Sequence, residues 1–502
     1  MIVVNTLMND NEKDGNSYGH VLKYTGIFGG VQGLNILMGL VRNKLVAVIL
    51  GPAGMGLVSL FNTAANFVSQ ATNLGLSFSA IRNLSELFDS GDQERIVRFV
   101  KTVRAWSLVA SLLGILVCLV ASPLLNRYMF DGESHTLEIM ALAPVVAMTT
   151  FAGGETAILK GARRLRELAR IQVVMVAALL VISVPLYYLF GVGGIIPVLL
   201  LTALANLVFT MRCSCRLYPL KLRGASGLLG EGMGMVRLGV AFVMSGIFGS
   251  GAEMVVRSFL NTAADLGTVG LYNAGYMLTV TYAGMVFSAM ETDYFPRLAT
   301  VNHDTAAVNL AVNRQIEVSL LIIAPMLAFM LLALPVLIPL LFSGKFAPVV
   351  GMAQVAVLAM YARAMMLPVA YVTLAKGHSR AYLVIEGVSA VVLTLLVITC
   401  FDRWGLWGTG LAVTLSNVAD LLIILVYARM RYRYVPSRQV VAAASVLLPL
   451  GLLAYFSTCC GAVWLRVGGG LLAAAASLVV SLAVLSRKTS LKQKLKNRLR
   501  RK

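Results

Sequence analysis

The chain has 502 residues, of which 58% are hydrophobic and only 13% charged, and its formal net charge is +20. Soluble domains carry about 25% charged residues, so a soluble fold is excluded, and no polar segment is long enough for a sizeable soluble domain. The positive charge does not indicate nucleic-acid binding: Arg487–Lys502 holds nine Lys/Arg and no acid, and the other basic residues lie mostly in loops between apolar stretches. That is the distribution of loops and tails beside anionic lipid headgroups.

Residues 1–20 are polar, and the first apolar stretch is too long for a signal-peptide core, so no cleavable leader is expected. A membrane span takes about 20 apolar residues. Such stretches lie near 22–42, 54–78, 99–122, 137–159, 168–190, 192–212, 237–259, 267–291, 317–342, 349–374, 380–401, 404–428, 438–457 and 463–485. The expected fold is therefore an all-α polytopic membrane protein of about 14 transmembrane helices. One set of alternating loops holds most of the Lys/Arg, from Arg82, Arg95 and Arg98 through Arg163 and Arg164 to Arg429 and Arg431. The opposite set holds few, among them Arg127, Lys345, Arg403 and Arg466. This asymmetry predicts both termini inside.

The first two spans meet at Leu40-Val41-Arg42-Asn43-Lys44 and Leu50-Gly51-Pro52-Ala53-Gly54; the seventh and eighth meet at Val255-Val256-Arg257-Ser258 and Leu266-Gly267-Thr268-Val269-Gly270. Each half opens with a helix ending in a basic residue, then a Leu-Gly-x-x-Gly turn. Six spans separate the copies, so the halves run parallel, as in transporters whose lobes are related by an axis along the membrane normal. The expected division is a cytoplasmic segment 1–20, a six-helix lobe 21–225, a second 226–432, an accessory helix pair 433–486 and a basic tail 487–502. The glycines, among them Gly29-Gly30 and Gly153-Gly154, and Pro325, Pro335, Pro339 and Pro368 fit helices that bend during alternating access.

A charge near a span centre costs about 2.5–3.5 kcal/mol on insertion scales. Arg363 lies mid-span with no acid within a turn; Arg42, Lys44 and Arg257 lie nearer outer helix ends, where snorkelling is the plain alternative. Among the acids, Glu253 precedes Arg257 by one turn, which suits an i,i+4 pair; Glu155, Glu386 and Asp420 lie inside spans. Each acid either carries a proton for energy coupling or neutralises a neighbouring Arg. A net basic cavity suits an anion, above all phosphate, which guanidinium groups bind in bidentate fashion. Arg95, Arg98, Lys101 and Arg104 form a positive stripe at the inner mouth, either ordinary inside charge or a landing site for a diphosphate. The six cysteines show no metal spacing, and His20, His135, His303 and His378 are scattered, so neither metal site nor nucleophile is expected.

The segment Lys44-Leu45-Val46-Ala47-Val48-Ile49-Leu50-Gly51-Pro52-Ala53-Gly54-Met55-Gly56-Leu57 resembles the early signature of bacterial lipid-linked oligosaccharide flippases, of the O-antigen and enterobacterial common antigen type, within the multidrug/oligosaccharidyl-lipid/polysaccharide exporter superfamily. Leu341-Phe342-Ser343-Gly344-Lys345-Phe346, and Ala375-Lys376 leading to Tyr382 and Glu386, agree with it. The resemblance implies a flippase, not an enzyme. It would move an undecaprenyl-diphosphate-linked oligosaccharide across the bacterial inner membrane, N-in/C-in, alongside polysaccharide polymerase or ligase machinery. Lys44, Arg257 and Arg363 would contact headgroup or glycan. Arg42 departs from the common-antigen branch and resembles an Arg of peptidoglycan-precursor flippases. Glu155, Glu253 and Asp420 are candidates for coupling or gating. No cofactor is expected, and a proton and a sodium gradient are equally open as energy sources. The alternatives are a multidrug or cation antiporter of the same fold, against which the Arg/Lys content argues, and a polysaccharide polymerase or ligase. The short outer loops do not suit an enzyme: the longest holds Arg127, Asp131, Glu133 and His135, which form no catalytic set.

Overall fold

The computed structural model describes residues 2–90, 92–130, 134–219 and 228–488. Asp131, Glu133 and nearly all of the basic tail lie outside them. All regular structure among the described residues is helical. The elements are α1 (Ile2–Thr72), α2 (Leu76–Ser90), α3 (Gln93–Met129), α4 (Thr136–Met140), α5 (Ala143–Gly161), α6 (Leu165–Phe190), α7 (Ile195–Leu217) and α8 (Leu228–Ala263). They continue as α9 (Leu266–Tyr276), α10 (Tyr282–Thr300), α11 (Thr305–Leu341), α12 (Val350–Ala375), α13 (Ser379–Tyr432), α14 (Arg438–Thr458) and α15 (Gly470–Lys488).

Nine segments among the described residues are long and apolar enough to cross a membrane. Two of them, Arg166–Leu217 with 52 residues and Ser379–Tyr432 with 54, each extend well beyond the length of one crossing at about 1.5 Å per residue. Each contains a reversal, a 3₁₀ turn at Gly191–Gly194 in the first and Gly405 (φ 58°) in the second. In α1 the reversal is at Gly51 (φ 66°, ψ −173°). Residues with a Cβ rarely adopt this backbone, which is why glycine stands at the turns of these helical hairpins. With α8 and the α9–α10 pair added, the spans among the described residues number fourteen.

The two copies of the repeat turn by different devices. Gly51 itself turns the first. In the second the helix ends at Ala263, and the Asp265 carboxylate caps α9 by accepting from the Thr268 N–H at 2.6 Å. Asp at such a position satisfies an orphan N–H, so Gly267 sits inside the helix rather than at the turn.

Contacts group the chain into two compact units, one of residues 1–46, 72–116 and 141–239, the other of 47–71, 117–140 and 240–502. In the first, Leu76, Leu84, Ile96, Val100, Val103, Ile158 and Met235 form a closed apolar core. Helices α3 and α5 approach closely because Gly154 lacks a Cβ: one placed there would lie 1.9 Å from Ser107 Oγ. Gly29-Gly30 and Gly153-Gly154 lie within continuous helix, and in α5 Gly154 serves the contact with α3.

In the second unit, residues 47–71 and 117–140 group with the later helices for visible reasons. A Cβ on Gly56 would lie 1.9 Å from the Leu266 carbonyl oxygen, and one on Gly270 would lie 1.9 Å from that of Pro52. The two Gly-rich motifs of the repeat thus cross each other backbone to backbone, as small residues permit in membranes. Asn261 Nδ2 donates to the Met129 carbonyl at 2.8 Å, and Ser258 Oγ to that of Tyr128. Helix α11 runs 37 residues through Pro325, Pro335 and Pro339. Pro335 has no N–H for the Leu331 carbonyl, and Gln354 Nε2 supplies one at 3.2 Å. Pro123 likewise frees the Leu119 carbonyl, which accepts from Ser122 Oγ at 2.8 Å. Satisfied carbonyls let proline persist inside spans.

The accessory pair α14–α15 packs on α11, and the connecting loop is held by two asparagines one helical turn apart. Asn313 Nδ2 donates to the Val435 carbonyl at 3.0 Å, while its Oδ1 accepts from the Ser437 N–H at 2.8 Å and the Tyr434 hydroxyl at 3.1 Å. Asn309 Oδ1 accepts from the Val435 N–H at 3.2 Å. Burial pushes the Tyr434 hydroxyl up to about 12, above its ordinary value of about 10. The neutral phenol is the form the fold stabilises, so this contribution is intact below about pH 10 and is lost as pH rises towards about 12. Thermal melts of the purified protein should show an alkaline destabilisation that is smaller in Tyr434→Phe; equal losses in both proteins count against it.

Candidate functional site

Arg257, near the C-terminal end of α8, is buried, its side chain only 8% exposed, and it is tied to its surroundings. Its Nε donates to Ser59 Oγ at 2.9 Å, Nη1 to Glu253 Oε2 at 3.1 Å and Nη2 to Asn273 Oδ1 at 3.5 Å. The i,i+4 pair read from the sequence is present, with Glu253 48% exposed. Ser59 and Asn273 could not be read from sequence, since they come from other helices.

Arg363, on α12, is held differently. Together with Glu253 (α8), Tyr276 (α9), and Glu386 and Asp420 (both on α13), it lines a chamber of about 520 Å³ inside the second unit. Ser389 and Tyr382 hydrogen-bond Asp420 and Glu386, and Arg363 acts electrostatically on both carboxylates. Asp420 Oδ1 and Arg363 Nε are shielded from solvent with no hydrogen-bond partner among the described residues. The hairpin at Gly405 brings Glu386 and Asp420, 34 residues apart in the chain, into one wall. The charged lining of this chamber is one guanidinium and three carboxylates, and Glu253 among them is also paired with Arg257. Arg363 had no acid within a turn of its own helix, and its counter-charges arrive from α13.

Arg42 and Lys44 lie in the first unit, on α1, both half-buried, with Arg42 beside the Tyr187 hydroxyl of α6. Glu155, a candidate for coupling, is ion-paired with Arg104. Arg104 Nε donates to Glu155 Oε1 at 2.7 Å and Nη2 to Oε2 at 3.2 Å, and the two side chains are 2% and 1% exposed. Arg104 Nη1 donates to the Tyr218 carbonyl at 2.9 Å and Nη2 to Ser214 Oγ at 3.2 Å. The guanidinium therefore also holds the end of α7, where carbonyls lack partners and a cation is favoured.

Arg104 does not belong to the expected surface stripe. At about 100° per residue, nine residues carry Arg104 half a turn round from Arg95. Arg95 and Arg98 are exposed, while Arg104 faces the core. Among the described residues no group of three or more His, Cys, Asp or Glu could hold a metal ion.

Residues 45–351 match the family described as polysaccharide biosynthesis protein. Among solved structures, the chain is similar to the lipid II flippase MurJ in an inward closed conformation, with a TM-score of 0.68 at 12% identity over 92% of this chain and 99% of that one. It is also similar to a multidrug resistance MATE transporter of the MOP superfamily. The inward-facing form gives a TM-score of 0.65 at 15% identity over 80% of this chain and 94% of that one. The outward-facing form gives 0.60 at 16% identity over 80% and 93%. At these identities the likeness is one of fold. No curated protein matches the chain. The all-helical fold is thus shared with these structures, and since the family match covers more than half of its length, the chain belongs to the polysaccharide biosynthesis protein family.

Proposed function

We propose that this protein is a flippase that carries an undecaprenyl-diphosphate-linked oligosaccharide repeat unit from the cytoplasmic to the periplasmic leaflet by alternating access, for assembly of an O-antigen-like surface polysaccharide such as that of lipopolysaccharide. Family membership in polysaccharide biosynthesis carries the reading; a transporter fold along 92% of the chain supports it. In this reading Arg42, Lys44, Arg257 and Arg363 are the cationic contacts. Glu155, Glu253 and Asp420 are the acids we propose for gating or for coupling to a proton or sodium gradient, and polymerase or ligase machinery receives the product. The membrane is the bacterial inner membrane with both termini inside. The exposed Tyr128, Tyr188, Trp404 and Trp464 lie near span ends, where interfacial aromatics belong on either face of a membrane.

The test is transport by the full chain in vesicles holding a polyprenyl-diphosphate saccharide, read by a lectin added outside. Exposure above that of protein-free vesicles is expected. Lys44→Gln should lower the rate about tenfold or more, since a charge-assisted hydrogen bond is worth about 1.5–3 kcal/mol. Rates equal to those of empty vesicles would remove the reading. The three chamber carboxylates favour one competitor, an antiporter for organic cations. Resistance to cationic dyes conferred on a pump-deficient strain, without lipid transport, would establish that competitor instead.

A further inference from the structure

The chamber in the second unit is the wrong place for a diphosphate. Its wall presents Arg363 against Glu253, Glu386 and Asp420; with Glu253 paired to Arg257, one negative charge is formally in excess. A second anion entering this confined space meets repulsion that water screens poorly. The wall is well suited to a different part of the cargo. Carboxylates accept hydrogen bonds from neighbouring hydroxyls, and Asn417 and Ser389 add donors and acceptors. Tyr276, Phe287 and Tyr371 add aromatic surface against which the C–H faces of a sugar ring pack. The volume of about 520 Å³ lies within the range of about 300–1,000 Å³ usual for small-ligand sites.

We infer that this chamber is a saccharide subsite that takes neutral or amino-substituted sugars of the glycan and excludes carboxylated ones, the diphosphate docking elsewhere. The inference rests on the flippase reading and gives it a substrate class. Arg363 then moderates the acidic wall and contacts sugar oxygens rather than phosphate. A glycan rich in uronic or sialic-type residues would be a poor cargo. An amino sugar would gain from Glu386 and Asp420 through charge-assisted hydrogen bonds.

The experiment is saturation-transfer NMR on the full chain in detergent, with N,N′-diacetylchitobiose, glucosamine and glucuronic acid as probes. The neutral and amino sugars should bind at least about tenfold more tightly than glucuronate, a difference of about 1.4 kcal/mol. Asp420→Asn combined with Glu386→Gln should bring the ratio close to unity by admitting glucuronate. Arg363→Gln should move it the other way. Opposite signs from the two replacements are not produced by a merely structural defect. If the double variant fails to fold, the wild-type ranking and Arg363→Gln decide. Glucuronate binding as tightly as chitobiose, replacements that leave the ranking unchanged, or sodium perturbing the chamber while no sugar binds would each overturn the subsite. The vesicle assay separates the two levels: lipid transport with the wrong sugar ranking removes only the subsite, whereas loss of transport removes the flippase reading itself.

Discussion

Glu155→Ala is expected to cost the protein about 3–5 kcal/mol, the usual consequence of stranding one partner of a buried ion pair. Arg104 would keep its charge in a space where its side chain is 2% exposed, with only carbonyls, a hydroxyl and a thiol as acceptors. Membrane-inserted protein should fall severalfold, and the purified remainder should melt well below wild type. Arg104→Ala should behave alike, with the added loss of its hold on the end of α7. The double replacement Arg104→Met with Glu155→Leu should recover most of the stability, because replacing both charges by apolar groups of similar volume is often neutral. The comparison separates two roles for Glu155. A structural counter-ion predicts that the double variant is stable and still transports. A coupling carboxylate predicts a stable double variant that does not transport. Glu155→Ala folding as wild type would show that the pair contributes little.

The second large effect is expected where the two motifs of the repeat cross. Gly56→Ala and Gly270→Ala should each destabilise by about 3 kcal/mol, the upper part of the range for overpacking. The new methyl would lie 1.9 Å from a backbone oxygen in both cases, and backbone cannot move aside as a flexible side chain can. Valine at either position should abolish the folded protein. The control is Gly234→Ala, with no atom within 4 Å of the added Cβ, where the better helix propensity of alanine makes a neutral or slightly stabilising result the expectation. Melting temperatures in one detergent give the comparison. If Gly56→Ala melts with the control, the close crossing is absent in solution.

The features that sequence alone made legible are local. Spans are visible because each must present about 20 apolar residues to lipid. Basic loops are visible because their charge is read along the chain, and the Glu253–Arg257 pair because a helix places i and i+4 side by side. Gly51 and Gly405 turn the chain where the hydropathy breaks between spans. The Leu-Gly-x-x-Gly repeat was legible as a pattern, but its purpose was not. Gly267 resembles Gly51 in sequence, yet Asp265 does the capping there, and Gly56 and Gly270 serve the crossing.

Amino-acid order by itself determined that the chain is a many-spanned helical membrane protein with ionisable residues embedded in its spans. Tertiary structure alone decided which charges meet. Glu155 finds Arg104 across 51 residues, and Arg257 finds Ser59 across 198. Arg363 comes to share a wall with acids from two other helices. The physical reason is range. Helix formation and membrane insertion depend on neighbours a few residues away, whereas the neutralisation of a buried charge depends on whichever helix packs against it, and no periodicity along the chain records that.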